Sequence, residues 1–247
     1  MPVYLQAGLW GLLAGGMLVV GALIAWVVHV PRDVVATVMA FGSGVLFSAL
    51  AFDLVDEAER SGGLTATVVG LLAGATAYVA ANVALSRRGA ARRKGEDQAS
   101  EQDQAGSGTA IAVGALLDGI PESVVLGLSL LGGGGVGVPV LAAIAISNLP
   151  EGLSSAAGMK HNGRSARYVF GVWVTIAVAS GAAGLVGCLA LDGASDATVS
   201  VITAIAAGAI LTMVADTMIP EAFARTRIWT GLITTLGFVT AFALTRA

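Results

Sequence analysis

Acidic side chains stand inside stretches of this sequence that are otherwise apolar. Asp118 and Glu122 lie in the apolar segment 108–131, and Glu151 lies in the next one, 136–159. Neither segment contains a lysine or an arginine. Carboxylates that meet in such surroundings must either be protonated or share a cation, because an isolated buried charge is costly. These three residues are therefore predicted to form a cation site inside a membrane.

Helical spacing adds polar groups at the same depth. Asp118 and Glu122 are four residues apart and share a helix face. Ser147 and Glu151 are spaced in the same way, and Asn148 lies three residues before Glu151. At about 1.5 Å per residue, Asp118 lies roughly 15 Å and Glu122 roughly 21 Å from the inner end of their segment. Ser147 and Glu151 lie roughly 18 Å and 12 Å from the inner end of theirs, so the two sets overlap near the midplane.

Each of these segments also carries a proline at this level, Pro121 and Pro150. Proline lacks a backbone N–H and releases the carbonyl four residues earlier, here that of Leu117 and that of Ile146. In lipid such a carbonyl needs another partner, which can be a cation, water or a neighbouring helix. We therefore expect helix breaks at both prolines. The available ligands are carboxylates, an amide, a hydroxyl and carbonyls, and this all-oxygen set suits a hard or borderline divalent cation.

The elements that must hold these residues are membrane helices. Hydrophobic residues make up 56% of the 247 and charged residues only 12%, about half the charged fraction of a soluble domain. The single cysteine, Cys188, excludes an internal disulfide and a cysteine-rich metal site. Counting roughly 20 apolar residues per crossing predicts eight transmembrane helices in one domain, 1–247. Their approximate bounds are 5–29, 34–55, 64–86, 108–131, 136–159, 166–191, 198–220 and 228–246.

The basic residues of the loops predict the orientation of the chain. Two of them, Arg60 and Arg246, fall on one side of the eight segments, and the remaining eleven fall on the other. Basic residues concentrate in cytoplasmic loops, so both termini are predicted to be outside. The polar stretch 87–107 is predicted to be a mobile cytoplasmic loop. The eleven are Arg32, Arg87, Arg88, Arg92, Arg93, Lys94, Lys160, Arg164, Arg167, Arg225 and Arg227.

Two internal similarities suggest an inverted repeat. The sequence GVLFSALAFDLVDEA at 44–58 resembles GAILTMVADTMIPEA at 208–222, and GIPE at 119–122 resembles NLPE at 148–151. In each case the two segments cross the predicted membrane in opposite directions. Inverted repeats with a site at the midplane are typical of secondary transporters. The identities in the longer pair are Gly44 with Gly208, Ala51 with Ala215, Glu57 with Glu221 and Ala58 with Ala222.

Two further acidic residues lie nearer the ends of their apolar segments. Asp53 is close to the outer end of the second segment, and Asp216 is roughly 6 Å from the inner end of the seventh. Each could line the pathway of a cation or simply reach interfacial water. His29 and His161 fall at the cytoplasmic edge of the membrane, where we interpret them as interfacial residues rather than ligands.

The motifs DGIPES on the fourth segment, SNLPEGLSSA on the fifth and DTMIPEA on the seventh resemble those of the ZIP family of divalent metal transporters. They are most similar to its prokaryotic GufA-like branch, and the resemblance covers nearly the whole chain. It implies an all-α integral membrane fold in which helices 1–3 and 6–8 form an inverted repeat around helices 4 and 5. It also implies that a homodimer carries zinc or a similar divalent cation across the cell membrane into the cytoplasm by elevator-like alternating access.

The resemblance assigns site residues, and the sequence departs from it in informative places. Asp118 stands where the family commonly has histidine, Glu122 and Glu151 match family glutamates, and Ser147 and Asn148 match the positions before the second proline. The acidic residue that many members carry on helix six is absent, since this chain reads SGAAG there. We therefore favour one oxygen-rich site over a binuclear one. Zinc stays the first candidate substrate, but the loss of histidine weakens the case for it and leaves iron, manganese, cobalt and cadmium open.

Other functions compete with metal transport. Carboxylates without histidine also fit proton relays, so the chain could be a proton-coupled carrier of another substrate or a non-transporting relative. An intramembrane metalloenzyme is disfavoured, because there is no H-E-x-x-H motif and neither histidine lies near the carboxylates. We expect no enzymatic activity, no organic cofactor and no nucleic-acid partner. The expected partners are the lipid bilayer and a second copy of the chain, with the metal as substrate.

Overall fold

The structure, a computed structural model, describes residues 1–87, 108–131 and 138–246, and every regular element in these ranges is a helix. Apart from Arg87, the predicted loop 87–107 lies outside the described residues. In chain order the elements are α1 (Val3–Val27), α2 (Arg32–Ala49), a first π segment (Leu50–Val55), α3 (Asp56–Arg87), α4 (Gly108–Leu128), α5 (Val138–His161), α6 (Ala166–Leu191), α7 (Asp196–Met213), a second π segment (Val214–Met218), α8 (Ile219–Thr226), a 3-10 turn (Arg227–Trp229) and α9 (Thr230–Arg246).

Five helical stretches within the described residues are long and apolar enough to cross a membrane. Their outward faces are apolar as well, with Leu72 64% exposed and Leu236 55% exposed. The prediction of an all-helical chain is thus confirmed for the described ranges, and these stretches indicate an integral membrane protein. The stretches are Val3–Val27, Arg32–Ala84, Val140–His161, Ala166–Leu191 and Asp196–Thr245.

Two of these stretches are far longer than one crossing requires, and each changes direction sharply. Arg32–Ala84 has 53 residues and Asp196–Thr245 has 50, whereas roughly 20 residues span a bilayer core. The first stretch bends at Gly63, whose φ is 76°. The second bends at Arg227, whose φ is 48°. Glycine adopts a positive φ without steric cost, but an arginine there stores strain of about 1–3 kcal/mol.

A π segment interrupts each long stretch ahead of its bend. The first occupies Leu50–Val55 and the second Val214–Met218. At the start of each, one backbone N–H, that of Leu50 and that of Val214, is shared between two preceding carbonyls. A π segment widens the helix and leaves backbone carbonyls without their usual partners, and such segments occur frequently at functional sites.

The predicted helix breaks at Pro121 and Pro150 are wrong. α4 continues through Pro121, and α5 continues through Pro150. Beside the second proline, α5 is closely packed against another helix. A β-carbon added at Gly152 would collide with the backbone of Leu18 on α1, so α1 lies directly against α5 there. A proline is tolerated in a membrane helix when neighbouring helices hold it in place.

Reciprocal glycines hold α2 against α9. A β-carbon on Gly44 would collide with the carbonyl oxygen of Thr234, and one on Gly237 would collide with that of Phe41. The hydroxyl of Thr234 also donates to the carbonyl of Ala40, at 3.1 Å. Because lipid provides no hydrophobic drive between helices, such backbone contact is a main source of their attraction.

The crossing of α3 with α7 is built in the same way. A β-carbon on Gly208 would collide with the carbonyl oxygen of Leu71, and one on Gly74 would collide with that of Ile205. Near the end of this pair, the hydroxyl of Ser200 on α7 donates to the carbonyl of Ala58 in the first turn of α3, at 2.6 Å. Each of the two long stretches thus contributes one glycine to each crossing.

Four further helices, α1, α4, α5 and α6, pack on one another. α1 and α5 approach closely at Gly21 and Gly152, and α4 and α6 at Gly127 and Gly184. α1 lies against both α5 and α6, so it connects the two pairs. This group holds both of the helices that carry the predicted site.

Local sequence signals explain where two of these helices begin. The hydroxyl of Ser165 accepts a hydrogen bond from the N–H of Tyr168 at the start of α6, and Ser195 accepts one from Thr198 at the start of α7. Serine is a preferred residue at this capping position. The preceding helices, α5 and α6, are followed by glycines at positive φ, which is a common way to end a helix.

Candidate metal site

The deepest acidic side chain among the described residues is Glu122 on α4. Its side chain is 1% exposed, and most of the other side chains of α4 are apolar. Its neighbour Ser123 is also buried, and the Ser123 hydroxyl donates to the carbonyl of Gly119 at 2.7 Å. A carboxylate this deeply buried needs a proton, hydrogen bonds or a cation to be stable.

On α5, the predicted residues line one face. Ser147 and Asn148 are buried, at 2% and 4% exposure, and Glu151 is partly buried. The Ser147 hydroxyl donates to the carbonyl of Ile144 at 2.9 Å. The Asn148 side chain donates through Nδ2 to the carbonyl of Ala14 on α1, at 3.0 Å. α5 therefore presents a hydroxyl, a carboxamide and a carboxylate within one and a half turns.

A chain of close contacts places the two proline motifs at similar heights. Asn148 of α5 bonds to Ala14 of α1. A β-carbon on the next residue, Gly15, would lie 3.1 Å from the hydroxyl oxygen of Ser180 on α6. One on Gly119 of α4 would lie 3.1 Å from the same oxygen. The GIPE motif on α4 therefore begins level with the NLPE motif on α5.

Each of the two glutamates places a carboxylate oxygen in the interior of the bundle. Oε2 of Glu122 and Oε1 of Glu151 are buried, and both side chains interact with other groups of the protein. Among the side chains that the structure describes, no three carboxylates, histidines or cysteines gather closely enough to hold a metal ion. Asp118 lies in α4, but its side chain is outside this set, so the group of three carboxylates stays a prediction.

Both predicted pathway residues lie in π segments. Asp53 belongs to the first and is partly buried, and Asp216 belongs to the second and is also partly buried. The second π segment reaches the candidate site. A β-carbon on Gly42 of α2 would lie 3.4 Å from Cα of Ser147 and 3.7 Å from Cε of Met218, the last residue of that segment.

Sequence reasoning missed a hydrogen bond that continues the polar face of α5. Ser154 is buried, and its hydroxyl donates to Oε1 of Glu221 on α8, at 3.0 Å. Ser155 beside it is fully buried. The signal was present in the sequence, because Ser154 and Ser155 follow Glu151 by three and four residues and so share its face. Glu221 entered the sequence argument only as an identity in the internal repeat.

The described site offers oxygen atoms from carboxylates, hydroxyls and a carboxamide. Such a set favours a divalent cation that accepts oxygen ligands, and it offers no thiolate or imidazole. In comparisons with known proteins, no family model matches the chain and no curated protein is significantly similar to it.

Proposed function

We propose that the protein transports divalent metal cations across the membrane through a site formed by Glu122 and Glu151. The observation that carries this proposal is the burial of Glu122 level with the polar face of α5, inside an apolar helical bundle. A buried carboxylate beside further oxygen donors is expensive unless it serves a cation or a proton. Ser147 and Asn148 would complete the shell, and Asp118 would be the third carboxylate.

The resemblance to ZIP transporters supports this reading of the site and gives zinc as the first candidate substrate. Iron, manganese, cobalt and cadmium are the other candidates, since the donors are oxygen atoms. By the same resemblance, the protein would act as a homodimer in the cell membrane and move the metal into the cytoplasm by alternating access. The stretch 87–107 would be cytoplasmic and both termini outside.

We propose further that the chain crosses the membrane eight times and contains an inverted repeat. Alignment of Gly44 with Gly208 also pairs the starts of the two π segments, Leu50 with Val214. The same alignment pairs Gly63 with Arg227, the two positive-φ bends. It also relates the two glycine crossings, α2 with α9 and α3 with α7. The π segments and the positive-φ bends lie outside the four identities that first suggested the repeat, so these two correspondences support it independently.

Uptake by proteoliposomes tests the site. We expect Glu122→Gln and Glu151→Gln each to lower divalent metal uptake by about tenfold or more, because each change removes a charged ligand at constant size. Metal binding should also weaken as the pH falls, since carboxylate ligands must lose their protons to bind. A panel of metal ions in the same assay would identify the preferred substrate.

Glu59→Gln is the matched control, because Glu59 is an exposed carboxylate in the first turn of α3. It should transport like the native protein. Unchanged uptake in both Glu122→Gln and Glu151→Gln would overturn the site assignment. Metal-independent proton movement that both variants abolish would instead favour a proton-coupled carrier of another substrate.

A further inference from the structure

Both histidines of the chain line a single cavity that the candidate metal site does not include. The cavity measures about 370 Å³ and lies where α1 ends, α2 begins and α5 ends. Arg32 and Lys160 line it together with His29 and His161. Its volume falls within the range of small-molecule sites, at the lower end.

The charges of the lining favour an anion over a metal cation. Arg32 and Lys160 are basic side chains, and the described lining contains no acidic residue. Two histidines alone would make a weak cation site, and the two neighbouring positive charges would weaken it further. The same four side chains form a suitable set of donors for phosphate oxygens.

Backbone groups add to this preference. α2 begins at Arg32, and no side chain caps its N-terminus. The first N–H groups of a helix carry partial positive charge and attract phosphate. The last carbonyls of α1 carry partial negative charge, and Lys160 offsets part of it. Its Nζ donates to the carbonyl of Trp26 at 2.7 Å and lies 5.3 Å from the centre of the Trp26 ring. Lys160 is thereby held in place at the wall of the cavity.

Part of the cavity lining is apolar, and its surroundings fit the headgroup level of a bilayer. Leu153 and Ala157 of α5 and Ala25 of α1 also line the cavity, and each precedes the basic residues along the chain. Close by, Trp26 packs against Phe170 with ring centres 6.0 Å apart. Aromatic side chains of this kind gather at the interface between lipid and water. An amphipathic ligand, with a phosphate above and a hydrocarbon chain below, would match both parts.

We propose that this cavity binds a phosphate group supplied by an anionic phospholipid of the surrounding leaflet. The basic side chains bind the phosphate, and the apolar part of the lining contacts the first carbons of an acyl chain. Basic pockets between the ends of membrane helices bind anionic headgroups in this manner. The proposal requires a membrane-embedded chain but does not depend on metal transport.

Thermal unfolding in lipid nanodiscs tests it. The native protein and the double variant Arg32→Gln/His161→Gln, which removes a permanent positive charge and an imidazole from the cavity, are compared in phosphatidylcholine alone and in phosphatidylcholine mixed with phosphatidylglycerol. We expect phosphatidylglycerol to raise the Tm of the native protein and the double variant to lose most of that rise. Arg225→Gln/Arg227→Gln is the control, because it removes two basic side chains from α8 and the 3-10 turn that follows it, and neither side chain lines the cavity. It should keep the rise in Tm.

Native mass spectrometry of the same proteins provides a second readout. Retained phosphatidylglycerol should be common on the native protein and the control and rare on the double variant. If the double variant folds poorly, the single variant His161→Gln should show the same loss of lipid in smaller degree. Equal retention by the native protein and both cavity variants would overturn the proposal. Inorganic phosphate, added to phosphatidylcholine nanodiscs, should not reproduce the rise in Tm, and a full rise with phosphate alone would overturn the assignment to lipid.

Discussion

The side-chain amide of Asn148 joins two helices at the candidate site. Its Nδ2 donates to the carbonyl of Ala14, which ties α5 to α1. The carboxamide also carries an acceptor oxygen, and this is the atom that would bind a cation in the proposed site. One residue would therefore set the position of the helix and complete the ligand shell, so the two roles should respond differently to substitution.

Asn148→Asp separates these roles. A carboxylate has no hydrogen to donate, so the carbonyl of Ala14 would lose its partner and face a negative charge. Hydrogen bonds between membrane helices contribute about 0.6 kcal/mol on average and about 1.7 kcal/mol at most, so we expect a lower Tm without metal. Added Zn²⁺ or Cd²⁺ should raise the Tm of the variant more than that of the native protein, because the site gains a charged ligand.

Asn162→Asp makes the same chemical change at an exposed position just after α5. It should change neither the Tm nor its response to metal by a comparable amount. A native Tm for Asn148→Asp would show that the bond to Ala14 contributes little. A metal response no larger than that of the native protein would exclude Asn148 from the ligand shell.

The sequence could predict which residues are polar and buried, but not what they contact. Glu122, Ser147 and Asn148 stand out because polar groups are rare in apolar segments, and the structure buries all three. The bond from Ser154 to Glu221 joins residues far apart in the chain, and only the tertiary arrangement of α5 and α8 brings them together. Local spacing carries no information about such a pair.

At the level of helices, contacts between glycines and facing backbone decide how closely the elements approach. α9 contains a direct test of this point. Gly237 faces α2, and a β-carbon there would collide with the carbonyl oxygen of Phe41. Gly231 lies in the same helix, and a β-carbon there would meet no atom within 4 Å. The two positions share helix, residue type and chemistry, so they differ mainly in packing.

We expect Gly231→Ala to be neutral or to stabilise the protein by up to about 1 kcal/mol, because alanine is the better helix former. Gly237→Ala should destabilise it by about 1–3 kcal/mol, because α2 and α9 must move apart to admit the methyl group. Thermal unfolding of both variants in the same detergent measures the difference. Equal effects at the two positions would show that α9 does not pack on α2 through Gly237.

The sequence predicted that the chain is helical, but it did not predict where the helices are irregular. Apolar length and composition predicted an all-helical chain, and the described residues confirm this. The breaks expected at Pro121 and Pro150 are wrong, and the irregular turns lie instead in the π segments around Asp53 and Asp216. A proline reports only a missing donor, whereas packing from all sides decides where a helix widens. No residue type in the sequence marks a π segment.

At the scale of the whole molecule, the two positive-φ bends bear on the topology. Gly63 and Arg227 occupy equivalent positions when Gly44 is aligned with Gly208. Arginine at such a φ is strained, so the surrounding structure, and not the conformational preference of arginine, determines the geometry of this bend. If the repeat is inverted, the two bends lie on opposite sides of the membrane. If it is parallel, they lie on the same side.

Cysteine labelling distinguishes these two topologies. The native Cys188 is buried, so Cys188→Ser provides a background without it. Leu64 and Ile228 each follow a bend directly and are 68% and 84% exposed, so Leu64→Cys and Ile228→Cys should both react with a maleimide. With a membrane-impermeant maleimide on intact cells, we expect labelling of Leu64→Cys alone, because basic residues concentrate near the second bend. Inside-out vesicles should reverse the pattern, with Ile228→Cys labelled and Leu64→Cys protected. Labelling of both from one side would contradict the inverted repeat, and with it the proposal that two antiparallel halves surround the carboxylates of α4 and α5.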